Sequence, residues 1–162
     1  MKDTDVRPAH PILEQDHASR WMGIEVLRLA DGHATITMRL REEMLNGFGI
    51  AHGGMVFAFA DSAFALACNP PGESETITVA SGVDINFLAP ALPGDVLTAV
   101  ADRRASAGRS GLYDIAITAA NDDGDSRLIA EFRGRSRTVP NKSSRGASAK
   151  NQSDNRPEKG TS

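Results

Sequence analysis

Asn46-Gly47-Phe48-Gly49-Ile50-Ala51-His52-Gly53-Gly54 leads directly into Met55–Cys68, a run of small and apolar residues whose one charged side chain is Asp61. Three features of this stretch point to acyl chemistry. The glycines open backbone conformations closed to other residues and let a ligand approach the main chain. They stand where a helix should begin, so their N–H groups lack intrahelical acceptors and the helix dipole favours negative charge there. A carbonyl under attack by water gains such a charge, and backbone donors aimed at it form an oxyanion hole. Asp61 lies about two turns further on. A carboxylate in so apolar a helix is costly to bury without a role, and burial raises its pKa toward the range that suits a general base. Each residue also has a plain structural reading. The glycines make a tight connection, His52 caps the helix or fills the core, Asp61 pairs with an arginine, and Asn46 is a turn residue. It is the spacing of Asn46, His52-Gly53-Gly54 and Asp61 together that favours the chemical reading.

The elements that must position these residues follow from pattern. A short helix is expected within 9–22, stopped by Gly23. Residues 24–29 alternate loosely and 34–40 cleanly, with Asp31-Gly32 between them, which reads as a β-hairpin. Met55–Cys68 is apolar nearly all round and should be buried. Asn69-Pro70-Pro71-Gly72 ends it. Four strands are expected at roughly 76–88, 95–107, 111–121 and 127–138, separated by Pro90 and Pro93-Gly94, by Gly108–Gly111, and by Asp122-Asp123-Gly124. Short turns between consecutive strands imply an antiparallel sheet. One apolar helix and one curved sheet make a two-layer α+β domain with the sheet wrapped around the helix. The uncovered face and edges of such a unit call for a second copy.

The chain has 162 residues, 40% of them hydrophobic and only 5% aromatic. That is one domain with a core built mainly from Ala, Val, Ile and Leu. Its net charge of −3 and pI near 5.8 lack the basic excess of a nucleic-acid binder. No apolar run approaches the roughly 20 residues of a membrane helix, and Met1–Asp16 has no apolar stretch of signal-peptide type. Cys68 is the one cysteine, so no internal disulfide forms, and a reducing, cytoplasmic setting is expected. Charge is uneven. Residues 140–162 hold five Lys or Arg against two Asp or Glu, a net of +3, which leaves −6 for 1–139. With Ala147 and Ala149 as its only aliphatic side chains, 140–162 is read as a disordered polar tail and 1–139 as the folded domain.

MLNGFGIAHGGMVFAFADSAFALACN resembles the signature of the phenylacetate-degradation thioesterases, the PaaI branch of the hotdog superfamily. The likeness rests on Asn46, His52-Gly53-Gly54, Asp61 and the Ala-Cys-Asn that closes the helix. It extends through Ser81–Pro90, Gly108–Asp114 and Phe132–Ser136, and so covers about residues 10–138. The resemblance implies a hotdog fold and hydrolysis of acyl-CoA thioesters, aryl-acetyl ones in this branch, with no metal and no cofactor. It implies that the Gly53 N–H polarises the thioester carbonyl and that His52 supports the loop. Asp61, reaching across a dimer interface, acts as base or nucleophile, and Asn46 helps hold the carbonyl or the water. Gly54 and Ser81 are candidate substrate contacts. The implied assembly is a homodimer whose dimers pair into a homotetramer. Where relatives often carry a basic residue before the proline, this chain has Ala89, so any grip on the CoA phosphates must come from elsewhere; Arg103, Arg104, Arg109, Arg133, Arg135 and Arg137 are available.

Two other readings remain. An acyl-thioester hydratase on the same fold would need His52 and Asp61 as an acid/base pair, but His52 precedes the glycines in the loop rather than standing on the helix. A non-catalytic acyl-CoA-binding module would have no need of Asp61.

Overall fold

The computed structural model describes residues 9–72 and 74–141. After a single 3-10 turn at Pro11–Leu13, helix α1 spans His17–Met22. Asp16 caps it by accepting from the Ser19 N–H at 2.9 Å, and Gly23 closes it in the left-handed conformation at φ 71°. The hairpin follows, β1 Glu25–Ala30 and β2 His33–Arg39, turning at Asp31-Gly32. The clean alternation in β2 places Ala34, Ile36 and Met38 inward, all buried.

Helix α2, Gly53–Cys68, begins two residues before the apolar run because His52 caps it and takes both glycines into the first turn. Val56, Phe59, Ala60, Ala63, Phe64, Leu66 and Ala67 are buried. The helix is not buried all round, as its composition suggested. Phe57, Ala58, Asp61, Ser62 and Ala65 are only half covered by this chain. Asn69 fastens the far end of α2. Its Nδ2 donates to the carbonyls of Ala65 and Thr78, both at 2.9 Å, and its Oδ1 accepts from the Thr78 N–H at 2.8 Å. His10 adds to this anchor, its Nε2 donating to the Asn69 carbonyl at 2.6 Å while Nδ1 accepts from the Ile12 N–H. The asparagine of the Ala-Cys-Asn stretch therefore joins helix to sheet.

The remaining strands are β3 Thr76–Phe87, β4 Val96–Ala107, β5 Ser110–Ala120 and β6 Ser126–Pro140. They form one six-stranded antiparallel sheet in the order β1-β2-β4-β5-β6-β3, with α2 on its inner face. Consecutive strands pair except at β3, which neighbours neither β2 nor β4. β3 leaves the helix at the far edge and pairs with β6, so β4 lies between β2 and β5. Pro90 and Pro93 withhold N–H donors from the segment that joins β3 to β4, and the segment crosses the end of the sheet instead of forming a hairpin. Register shifts at Val26/Arg28, Ala80/Gly82, Arg103/Ala105 and Ile117/Thr118 bend the strands around the helix. The outer edge of β3 has no neighbour among the described residues and exposes Ile77, Val79 and Phe87. β6 runs on to Pro140, opposite Thr76, and Asn141 bonds to the Glu75 carbonyl at 2.7 Å. Residues 142–162, nearly all of the segment read as a tail, lie outside the described residues.

Candidate functional site

A single 3-10 turn at Glu42–Met44 delivers the chain to the glycine loop. Leu45 and Ala51 pair across its base. Asn46 ties the loop together. Its side-chain Oδ1 accepts from the Phe48 N–H at 2.9 Å and more weakly from Ile50 at 3.4 Å, and its own N–H bonds to the Ile50 carbonyl at 2.8 Å. Gly49 supplies the positive φ, 74°, that the tight turn requires. The turn-residue role of Asn46 is thus present in the structure. Its side-chain oxygen is committed to the loop, and the residue also lines the pocket described below.

The loop then straightens. The Ala51 N–H bonds to the Ala91 carbonyl and the His52 N–H to the Met44 carbonyl, both at 2.9 Å. The His52 imidazole folds over the helix start, and its Nδ1 accepts from the Gly54 N–H at 2.9 Å, which leaves its proton on Nε2. A Cβ at Gly54 would come within 3.1 Å of that nitrogen, so the cap and the second glycine belong together. The capping role of His52 occupies the nitrogen that a hydratase base would need. Replacing His52 by alanine is expected to lower unfolding stability by about 1 kcal/mol, the usual size of a lost cap, measurable by urea denaturation.

With the Gly54 N–H taken by His52, and with Met55 and Val56 both donating to the His52 carbonyl, the Gly53 N–H is the donor left over. It has no acceptor among the described residues. Gly53 lines a pocket of about 420 Å³ together with Asn46, Ile50, Val56, Phe87 and Ile129. The walls are apolar, closed on one side by the Phe87–Ala91 segment. A Cβ on Gly53 would lie 3.2 Å from the Phe87 ring, so glycine is what lets an aromatic wall stand against a backbone donor.

Asp61 is not part of this pocket. It sits half-buried on the open side of α2 with no hydrogen-bond or ion-pair partner among the described residues, and burial raises its pKa above the usual aspartate value. The arginine partner that a structural reading would require is absent there. It stands eight positions beyond Gly53, about 12 Å along the helix axis. One chain therefore does not bring both groups to one carbonyl carbon. Ser81 stands at the β3 bulge, exposed, with its hydroxyl donating to the Arg135 carbonyl at 3.0 Å and away from the pocket. Among the candidate residues, the fold unites Asn46 and Gly53 in the pocket, sets His52 and Gly54 behind them as the helix cap, and places Asp61 and Ser81 elsewhere.

Cys68 offers no second nucleophile. Burial pushes its thiol up to about 11, with Tyr113 and Ser136 beside it. Of the arginines available for a phosphate, Arg103 is bidentate to Asp31, Arg133 to Asp114, and Arg135 binds Asp84 at 2.6 Å. The arginine nearest the pocket wall is one the spacing gave no reason to single out, Arg127, which donates to the Pro90 carbonyl. Only the strand order, which seats the start of β6 against the crossing segment, brings it there.

The thioesterase superfamily matches residues 48–124 of this chain. The chain is 39% identical over 131 residues to the acyl-coenzyme A thioesterase PaaI of Escherichia coli (strain K12), a match spanning 81% of this chain and 89% of the relative. The solved structure of the E. coli PaaI protein from the phenylacetic acid degradation operon superposes with a TM-score of 0.71, covering 79% of this chain and 88% of that one. The TT0310 protein from Thermus thermophilus, 32% identical, superposes at 0.67 over 76% and 97% of the two chains.

Proposed function

Because the chain belongs to the thioesterase superfamily, in its PaaI-type hotdog branch, we propose that it hydrolyses an aryl-acetyl-CoA thioester, phenylacetyl or hydroxyphenylacetyl, to the free acid and CoA. The observation that carries this reading is the Gly53 N–H at the start of α2, without an acceptor among the described residues, on a residue that lines an apolar pocket with an aromatic wall. An oxyanion forming there would meet a fixed donor and the positive end of a helix against apolar walls, and such donors are worth most where water is excluded. Asp61 of a second copy supplies the base. Its unpaired carboxylate takes a proton from water as the water oxygen bonds to the carbonyl carbon. The tetrahedral oxyanion is held by Gly53 N–H, with the Asn46 amide as a further donor, and collapse expels CoA as its thiolate.

A second copy is called for by two features. The 12 Å between Gly53 and Asp61 within one helix needs a partner to close it. The partly covered face of α2 and the open edge of β3 offer a surface for that partner. A two-fold axis across β3 pairs the strand with itself in antiparallel fashion and leaves no free edge on that side. The functional unit is then a homodimer, and dimers pair into a tetramer. Light scattering at micromolar protein should give a mass of two or four chains; a monomer that still turns over substrate would sink the shared site. No helix among the described residues is long and apolar enough to cross a membrane. A CoA substrate and a single thiol suit the cytoplasm.

The activity is tested by incubating the purified protein with phenylacetyl-CoA, hydroxyphenylacetyl-CoA and medium-chain acyl-CoAs and following free thiol. Release from the aryl-acetyl thioesters at the highest kcat/KM is expected. Binding of all of them without thiol release would leave an acyl-CoA-binding module. The pH profile carries a second expectation. The base works as carboxylate, and burial raises its pKa. The rate should therefore rise with pH through an inflection above the ordinary aspartate value of about 3.9, and flatten beyond it. An acid limb at or below that value would deny the role to a buried Asp61.

A further inference from the structure

The wall facing Gly53 is made by the end of β3 and the crossing segment after it: Phe87 is still paired with Ala130, and the Leu88 and Ala89 N–H groups reach the Ile129 carbonyl at 2.9 and 3.3 Å, but from Pro90 to Asp95 no strand ladder holds the chain. Pro90 and Pro93 have no N–H to give, and Leu88, Leu92 and Phe87 are about half exposed. Side-chain fastening of this second half, Pro90 to Asp95, centres on one ion pair. Asp95 is 4% exposed, and its carboxylate Oδ2 accepts from the Leu92 N–H at 2.8 Å and from Arg127 Nη2 at 2.5 Å. The same guanidinium turns its Nε and Nη2 to the Pro90 carbonyl, at 3.1 and 3.0 Å. The next residue, Ala91, offers its carbonyl to the Ala51 N–H at 2.9 Å. Ala51 stands two residues before Gly53. A continuous path of hydrogen bonds and peptide units thus runs from Arg127 through Pro90-Ala91 to the start of α2.

We propose that Arg127, set by the buried Asp95, is a positioning residue that holds the pocket wall at a fixed distance from the Gly53 N–H. It touches no reacting atom in this role. The guanidinium is suited to it because its planar fork serves the carbonyl and the carboxylate together, which a single ammonium on a flexible stem does not do. An oxyanion donor loses much of its effect when displaced by as little as 1 Å, and the wall decides where the thioester lies relative to that donor. The kinetic consequences rest on the thioesterase reading; the structural ones do not.

The test uses Arg127→Lys, which keeps a cation for Asp95, and Arg127→Gln in case the lysine variant folds poorly. Two readouts are taken on each. In amide hydrogen exchange, Ala51 and Leu92 are expected to exchange roughly 10-fold faster or more, with amides of β4 and β5 unchanged, because only the fastened segment opens. In steady-state kinetics, kcat is expected to fall by about 10-fold or more, equally for phenylacetyl-CoA and for phenylacetyl-pantetheine, which lacks the nucleotide phosphates. A rise in KM confined to the CoA thioester would show that Arg127 binds phosphate instead, and would overturn the proposal. So would unchanged kcat per folded molecule, whatever happens to the melting temperature. Should the wild-type protein release thiol from no thioester, the thioesterase reading fails by itself, and exchange at Ala51 alone decides whether Arg127 positions the loop.

Discussion

Asp61→Ala and Asp61→Asn are expected to lower kcat for the preferred acyl-CoA by roughly 10²–10⁴-fold, the span associated with losing a positioned general base, while KM changes little. The asparagine variant is the more telling. It keeps shape and hydrogen-bonding capacity but cannot take a proton from water. Its stability carries an independent signature. The carboxylate of Asp61 is half-buried and has no partner among the described residues, and its folded-state pKa is raised by burial. A raised carboxylate pKa means that the folded state binds its proton more tightly than the unfolded chain. Its charge therefore opposes folding above that pKa, and the penalty fades as pH falls through it. Asp61→Asn should then melt no lower than wild type at pH 7, and any advantage should vanish in acid. An Asp61→Asn protein that is inactive and also much less stable at neutral pH would instead assign Asp61 a structural partnership. Full activity in both variants would remove Asp61 from the mechanism. In a single turnover in H₂¹⁸O, label in the Asp61 peptide would identify a nucleophile whose mixed anhydride is opened by water at the aspartyl carbonyl, whereas a base leaves the label only in the product acid.

Phe64→Ala is expected to cost about 3–5 kcal/mol of stability, the largest loss predicted for a residue outside the pocket. Phe64 is 2% exposed. Its ring meets Tyr113 edge-on at 5.3 Å between centroids and Phe132 at 6.0 Å, and Phe57 packs on the other side of Phe132 at 5.5 Å. In a chain this poor in aromatics, that cluster joins α2 to β5 and β6. The ring lies directly over Gly134, where a Cβ would fall 2.7 Å from its Cε2 and Cζ. The pair makes a coupled prediction. Gly134→Ala alone should destabilise by about 1–3 kcal/mol through overpacking. In the Phe64→Leu background the same change should cost much less, since the smaller side chain gives room. Chemical denaturation of the four proteins measures the coupling, and strictly additive losses would contradict this packing.

The order and extent of the elements were written locally. Turn residues at Asp31-Gly32, Gly108 and Asp122–Gly124 and the alternation in 34–40 mark strands that the structure reproduces within a residue or two. The continuous apolar run marks the central helix for a different reason: it shows no period, but it is too long for a strand, is built of good helix formers and ends at Asn69-Pro70-Pro71-Gly72. The capped helix start was legible too, because glycine and a capping residue stand in adjacent positions at His52-Gly53-Gly54. What sequence could not decide was which strand neighbours which. Nothing in Thr76–Phe87 or Val96–Ala107 states that they part to opposite sides of β5 and β6; that is a choice made by long-range pairing and by what the helix covers. From that choice follow the open edge of β3, the wall of Phe87–Ala91 over Gly53, and the meeting of Arg127 with Pro90 and Asp95 across 37 and 32 positions of sequence. The same holds for Asp61. Its type, its helical address and its distance along the helix from Gly53 were plain from the residues, but its half-burial and its lack of a partner among the described residues belong to the packed molecule. Sequence determines the groups and their local geometry through short-range sterics and hydrogen bonding. Only tertiary structure determines which distant groups share a dielectric environment and a distance, and catalysis depends on both.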